Sequence, residues 1–524
     1  MKKERLEFLQ FLYKTLKKHD AEILKYFCDA SVSDNDYFFY GINSDIISNS
    51  LNILTNYLSG NIESAGVDAS CRTIIEAMVI LQMDAKGKIT DNQKTIYRYL
   101  YSYVDIDNFY SVLPITNRDN ELIKKLLSDK NKARQAMLEH FNCSRIDLKD
   151  RKIKIDDPCF YLKSHLYENI KFSKLLGIYP ICNEKTIEMY ELFSMFVHPR
   201  CEMNPEIDEA ILIIRNIYVD YILDFVCDYI KHCKLLIDKK EKEKITSFEQ
   251  DFFYNPLLSN NVKSIKSVEF VFDILMEKLC MLKNGTDWFT WYFLKKSKHI
   301  LIDMMISSSL GYKEHVITLF KPFIEQYSVF FTIESINNLN DFNYTKQAFW
   351  YSSRIQLDVL FQKLGCNDTI VSEEEMKKLY YEFFKEKYNL DDYEKFYLNM
   401  RRNSLYCLTN GRKSYNKYVK GLIQSVFKNK NIGKDVMILY KIAKDMDHAS
   451  GYNFNATEGI LDSFSHKSIL YSLELLRYFI INASETLGEH NEECNVDSII
   501  SFLNALITIE NNALNEIYKY YEKC

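Results

Sequence analysis

The chain is poor in helix breakers. Its 524 residues include 14 glycines and 7 prolines. So few turn formers argue against many short strands and for long helices with few interruptions. No C-x-x-C pair occurs among the 13 cysteines, so neither a zinc ribbon nor a thioredoxin-like centre is indicated. Scattered and odd in number, they read as reduced, mostly buried small apolar residues. No uncharged apolar run reaches the roughly 18 residues that a membrane span needs. The nearest candidate, AILIIRNIYVDYILDFVCDYI, is interrupted by Arg215, Asp220, Asp224 and Asp228 and reads as an amphipathic helix. The first residues, MKKERLEFLQFLYKTLKKHD, are helical in pattern and lack the continuous apolar stretch of a signal peptide. A Gly-rich phosphate loop, H-E-x-x-H and G-x-S-x-G are all absent. The net charge of -5 is too small to draw nucleic acid or membrane in bulk, which leaves only a local patch for such contacts. These absences lead to the expectation of a cytoplasmic protein with no cofactor, no metal and no membrane contact.

What remains is 47% hydrophobic and 27% charged, with 38 Tyr and 34 Phe, enough to fill large cores. The richness in Asn, Lys and Ile suggests an AT-rich bacterial genome. Helical periodicity runs almost throughout, and no convincing series of alternating strands is found. SDIISNSLNILTNYLSG spaces its apolar residues by three and four, with Ser44 as an N-cap and Gly60 as a stop. GVDASCRTIIEAMVILQMDAKG and EKTIEMYELFSMFVHP follow the same pattern. The expected class is all-α. DKKEKEKITSFEQD, residues 238–251, has the charge and the lack of core residues of a solvated connection.

Two pairs of segments match each other in order and separation. CRTIIEAMVIL lies over FKPFIEQYSVF, so that Arg72 meets Lys321 and Glu76 meets Glu325. MYELFSMFVHP lies over LYKIAKDMDHA, so that Tyr190 meets Tyr440 and His198 meets His448. The histidine follows the basic residue by 126 positions in one copy and 127 in the other. The expected organisation is an N-terminal helical segment (1–39), a first helical repeat (40–235), a charged linker (236–265) and a second repeat with C-terminal helices (266–524).

Arg72 and Glu76 are four apart, share a helical face and can pair there. Their apolar neighbours imply burial, and desolvation consumes much of a buried pair's Coulomb gain. Retention in both copies therefore points to a task, either structural or functional. Pro322 stands where the first copy has Thr73, and should kink or start the second helix. His198 and His448 read either as helix-end residues suited to the dipole or as general acid/base or phosphate-contacting groups. The candidate site is Arg72, Glu76 and His198, with Lys321, Glu325 and His448 as its equivalents.

R-x-x-x-E early and Y-x-x-x-S-x-x-x-H late in the unit, here Arg72, Glu76, Tyr190, Ser194 and His198, resembles an uncharacterised family of all-helical bacterial domains of unknown function. The second copy carries Lys444 in place of the serine. Such domains look broadly like HEPN bundles, many of which are ribonucleases of toxin and phage-defence systems. That resemblance implies either a regulatory component of such a system, with a protein partner or self-association, or a metal-independent ribonuclease acting on RNA. The usual HEPN motif, R-x(4–6)-H, has one match, Arg134 and His140, and chance alone supplies about 0.8. RRNSLYC begins similarly at Arg402 but has Cys407 where a histidine would fall. Asn216, Asp220, Asp224, Asp228 and His232 recur every fourth residue and read as a solvated stripe, with a divalent-ion site as the alternative. WFTWYF, from Trp288, reads as core, with base stacking as the alternative.

Overall fold

The computed structural model describes residues 10, 12–18, 32–59, 61, 64–104, 121–144, 146–149, 152–155, 160–163, 184–197, 205–232, 256–281, 288–336, 339–363, 372–385, 392–402, 415–446, 458–488 and 496–523. These are overwhelmingly helical. The first half contains α1 (Asp34–Ser59), α2 (Ala65–Ala85), α3 (Asp91–Val104), α4 (Glu121–His140), α5 (Glu184–Val197) and α6 (Pro205–His232). The second contains α7 (Pro256–Met281), α8 (Trp288–Ser309), α9 (Lys313–Glu334), α10 (Leu339–Lys363), α11 (Glu373–Leu379), a π-helical turn (Tyr380–Phe384), α12 (Tyr393–Arg402), α13 (Tyr415–Val426), α14 (Lys430–Met446), α15 (Glu458–Gly488) and α16 (Val496–Lys523).

Local chemistry sets the helix ends. Ser64 caps α2 by accepting from the Gly66 amide, and Gly87, at φ 65°, turns the chain away after Lys86. Proline opens α6 and α7, where its missing N–H costs nothing. Ser372 and Glu375 form a reciprocal capping box before α11. Three expectations need correction. Ser44 is not a cap: α1 begins ten residues earlier, at Asp34, and Ser33 accepts from the Asp36 amide at 3.1 Å. Pro322 does not start a helix, because α9 runs through it from Lys313 to Glu334. Strands do occur: Ile146–Lys149, Lys152–Ile155 and Phe160–Lys163 form a small antiparallel meander, β1-β2-β3, with Ile146 opposite Ile155 and Lys152 opposite Lys163. Of the stretch expected as linker, residues 256–265 are the first turns of α7, and 236–255 lie outside the described residues.

The two halves each centre on one sequestered helix. In the first, α1 packs on α2, α2 on α5, and α1 on α3, which pairs with α4. In the second, α8 packs on α9, and α9 also meets α13, α14 and α15. Both α2 and α9 are buried on almost every face, so any charge they carry must be satisfied inside. α7 lies along α8, and α16 along α15. WFTWYF belongs to the core as expected: Phe289, Tyr292 and Phe293 pack with Phe349, Tyr380 and Phe396 in an aromatic cluster. Among the described residues no helix is long and apolar enough to cross a membrane.

Candidate functional site

α2 and α5 bring the first candidate residues together. The side chain of Glu76 is buried, and the Tyr190 hydroxyl donates to its Oε1 at 2.8 Å. Burial, then the Glu76 charge, raises the Tyr190 phenol far above its ordinary value, so it remains a proton donor. Arg72 acts electrostatically in the opposite sense on the same phenol, and Ser194, one turn further along α5, is hydrogen-bonded to it. α9 and α14 repeat this arrangement. The Tyr440 hydroxyl donates to Glu325 Oε1, again at 2.8 Å. Relative exposure is 2% for Arg72, 1% for Glu76, 4% for Lys321 and 2% for Glu325. One difference separates the clusters: Tyr190 and Ser194 are half-buried, whereas Tyr440 is sealed and Lys444 points to solvent. His198 and His448 lie outside the described residues.

A second polar cluster, which the sequence did not announce, joins the two halves. Asp303, on α8, is fully buried. Its Oδ1 accepts from Asn56 at 3.0 Å and from Ser307 at 3.3 Å, and its Oδ2 accepts a very short bond from Ser64. Burial pushes its carboxyl up to about 6, against the opposing pull of those three donors and Arg215. Gly66 makes the approach possible, because a Cβ there would overlap Asp303 Oδ2. Beside it Arg215 grips Asp68 with two bonds, at 2.6 and 2.8 Å, and donates to the Ser64 carbonyl at 2.6 Å. The same Ser307 hydroxyl lies 3.4 Å from Asn52 Oδ1, so its one proton is shared between Asp303 and Asn52. His315 donates through Nε2 to the Ser48 carbonyl at 2.8 Å, and burial lowers it to about 4, so it is neutral at pH 7. His299 Nδ1 lies 3.3 Å from Asn61 Oδ1, and the Tyr13 and Tyr312 hydroxyls meet at 2.7 Å. The available signal was weak: Asn49, Ser50, Asn52, Thr55 and Asn56 interrupt an apolar helix that is buried throughout that stretch.

The other candidates stand apart. Arg134 and His140 are both exposed on α4, and His140 bonds to Asn92 and Thr95. Arg402 ends α12, and Cys407 lies outside the described residues. Asp224 is exposed, Asp220 is half-buried, and Asn216 accepts from Tyr57 at 3.4 Å. Among the described residues no group of three His, Cys, Asp or Glu side chains is arranged to hold a metal. Cys71 is fully buried, and desolvation raises its thiol well above the ordinary value, which suits an inert packing residue. Compared with known protein families, curated proteins and solved structures, the chain matches none.

Proposed function

We propose that this chain is a cytoplasmic helical interaction and regulatory protein, built from two diverged copies of one helical unit that meet as an internal pseudo-dimer. The observation that carries the reading is the repeated, buried Tyr–Glu bond: Tyr190 to Glu76 and Tyr440 to Glu325. Each tyrosine ties a late helix to a carboxylate on the central helix of its half. The groups that would do chemistry are engaged in holding those helices together. A catalytic carboxylate or guanidinium needs access to a reacting atom, and these side chains are enclosed.

The contacts between halves support the duplication. If Asn52 is equivalent to Asp303 and Asn56 to Ser307, the Asn56–Asp303 and Asn52–Ser307 contacts exchange under a two-fold operation. The same shift makes Ser48 equivalent to His299. His299 reaches Asn61 and Ser48 reaches His315, so both members of this pair contact the opposite half, through residues that are not themselves equivalent. The resemblance to uncharacterised, distantly HEPN-like bacterial domains suggests a phage-defence or stress-response setting.

One observation favours the alternative, a metal-independent ribonuclease. The first cluster reaches partly exposed Tyr190 and Ser194, while the second is sealed. The test is to incubate purified protein with labelled RNA in EDTA. Intact RNA is expected. Cleavage that survives EDTA and is lost in a folded His198→Ala variant would overturn the interaction reading.

A further inference from the structure

We propose that the outer face of α6 is a docking surface for a basic amphipathic helix of a partner protein. The proposal rests on the interaction-protein reading and adds to it the place and chemistry of contact. Ile213, Ile217 and Tyr221 follow one another at intervals of four and form a stripe on α6. Their relative exposures are 55%, 47% and 38%. At such exposure about half of the available hydrophobic stabilisation is unused, and three in one row are more than scattered surface residues.

The second half indicates what such a face receives. α6 follows α5, whose Tyr190 reaches Glu76. α15 follows α14, whose Tyr440 reaches Glu325. α15 does not face water in the same way, because α16 lies along it. That contact is tied by His466–Glu510 at 2.7 Å, Arg477–Asn504 at 2.9 Å and Ser463–Tyr518 at 3.1 Å. Among the described residues no helix lies along α6 in this manner. Among the described residues, the position that a helix fills in the second half has no counterpart in the first.

Charge selects the occupant. Along the described side chains of α6, residues 213–226, the acidic residues are Asp220 and Asp224, and the basic one is Arg215. Arg215 is already committed to Asp68. By helical spacing Asp220 and Asp224 fall on the same side as the apolar stripe, and Asp224 is exposed. The neighbouring α5 adds exposed Glu191. An acidic apolar strip repels anionic lipid and nucleic acid alike, and attracts Lys and Arg flanking an apolar ridge. Lys185 already shows the mode of contact, with its Nζ 3.1 Å from the Tyr221 ring centre.

The experiment measures fluorescence anisotropy of two synthetic helical peptides, one of Leu and Lys and one of Leu and Glu in the same amphipathic pattern, with the full chain. The Leu/Lys peptide is expected to bind and the Leu/Glu peptide not to. Ile217→Asp, with unchanged circular dichroism, is expected to weaken binding about tenfold or more, and Asp224→Lys to weaken it and reduce its salt dependence. Equal binding of both peptides, no binding, or binding indifferent to Ile217→Asp overturns the proposal. So does a wild-type dimer in sedimentation that Ile217→Asp abolishes, which would assign the face to a second copy. RNA cleavage is scored separately: a peptide failure with RNA intact removes the α6 surface alone, whereas EDTA-resistant cleavage removes the interaction reading itself.

Discussion

At the scale of single residues, one phenol hydroxyl donates to each buried carboxylate. Removing the Tyr440 hydroxyl leaves Glu325 short of a donor where water has no access. Tyr440→Phe is therefore expected to cost about 1.5–3 kcal/mol in urea unfolding, the range for a hydrogen bond to a charged group. Tyr190→Phe should cost less, because Tyr190 is half-buried and water can take the vacated place. Equal losses would mean that the two clusters are equally closed. The identities of Arg72, Glu76 and Tyr190 and their counterparts were legible in the sequence, because helical spacing and repetition mark them. Their bonding was less so. Spacing marks Arg72 and Glu76 as neighbours on one face, but it says nothing of the 2.8 Å bond to Glu76 from a tyrosine more than 100 residues away.

At the scale of helices, ends proved harder to read than periodicity. The pattern that made Ser44 resemble a cap is interior: α1 extends back through DNDYFFYGIN, whose Phe38 and Ile42 are buried against the first core. Ser33→Ala is expected to cost about 1 kcal/mol in thermal or urea unfolding through loss of the N-cap. Ser44→Ala removes no cap and should cost less. The opposite order would return the helix start to Ser44. The strands were missed for a similar reason. The alternation in KIKI is only four residues long, and its partners IDLK and FYLK give no stronger period. The proline in α9 misled in the other direction. Burial on nearly all sides holds that helix continuous despite the lost amide donor at Pro322.

At the scale of the whole molecule, the junction between halves contains two groups with opposite responses to acid. Asp303 titrates near 6 in the fold and near 3.8 when unfolded. Its contribution to stability is therefore greatest below pH 3.8 and is lost as pH rises through 6. His315 titrates near 4 in the fold and near 6.5 when unfolded, so its contribution is present above pH 6.5 and is lost as pH falls through 4. A tenfold difference in acidity between folded and unfolded states corresponds to about 1.4 kcal/mol, and the two groups offset each other as pH falls from about 7.5 to about 5. Unfolding free energies at those two pH values provide the check. Asp303→Asn should make the protein lose more stability than wild type on acidification, and His315→Gln should make it lose less. Unchanged pH dependence in both variants would sink this account. None of this junction was legible beforehand, because its bonds join residues as much as 299 positions apart, where no local period reaches.

The Ser64–Asp303 bond also has a direction in time. A ribosome releases Ser64 and Asn56 long before Asp303, which lies 239 and 247 positions further along the chain. Until α8 emerges, the carboxylate that these donors share is missing: Asn56 keeps its bonds to Asn52, and water takes the place of Asp303 beside Ser64 and Asn56. The early folded form of the first half is therefore wetter at that face than the finished protein. Arrival of α8 expels that water and joins the halves. The nascent first half is thus the stage at which a chaperone or a wrongly matched chain finds most to hold.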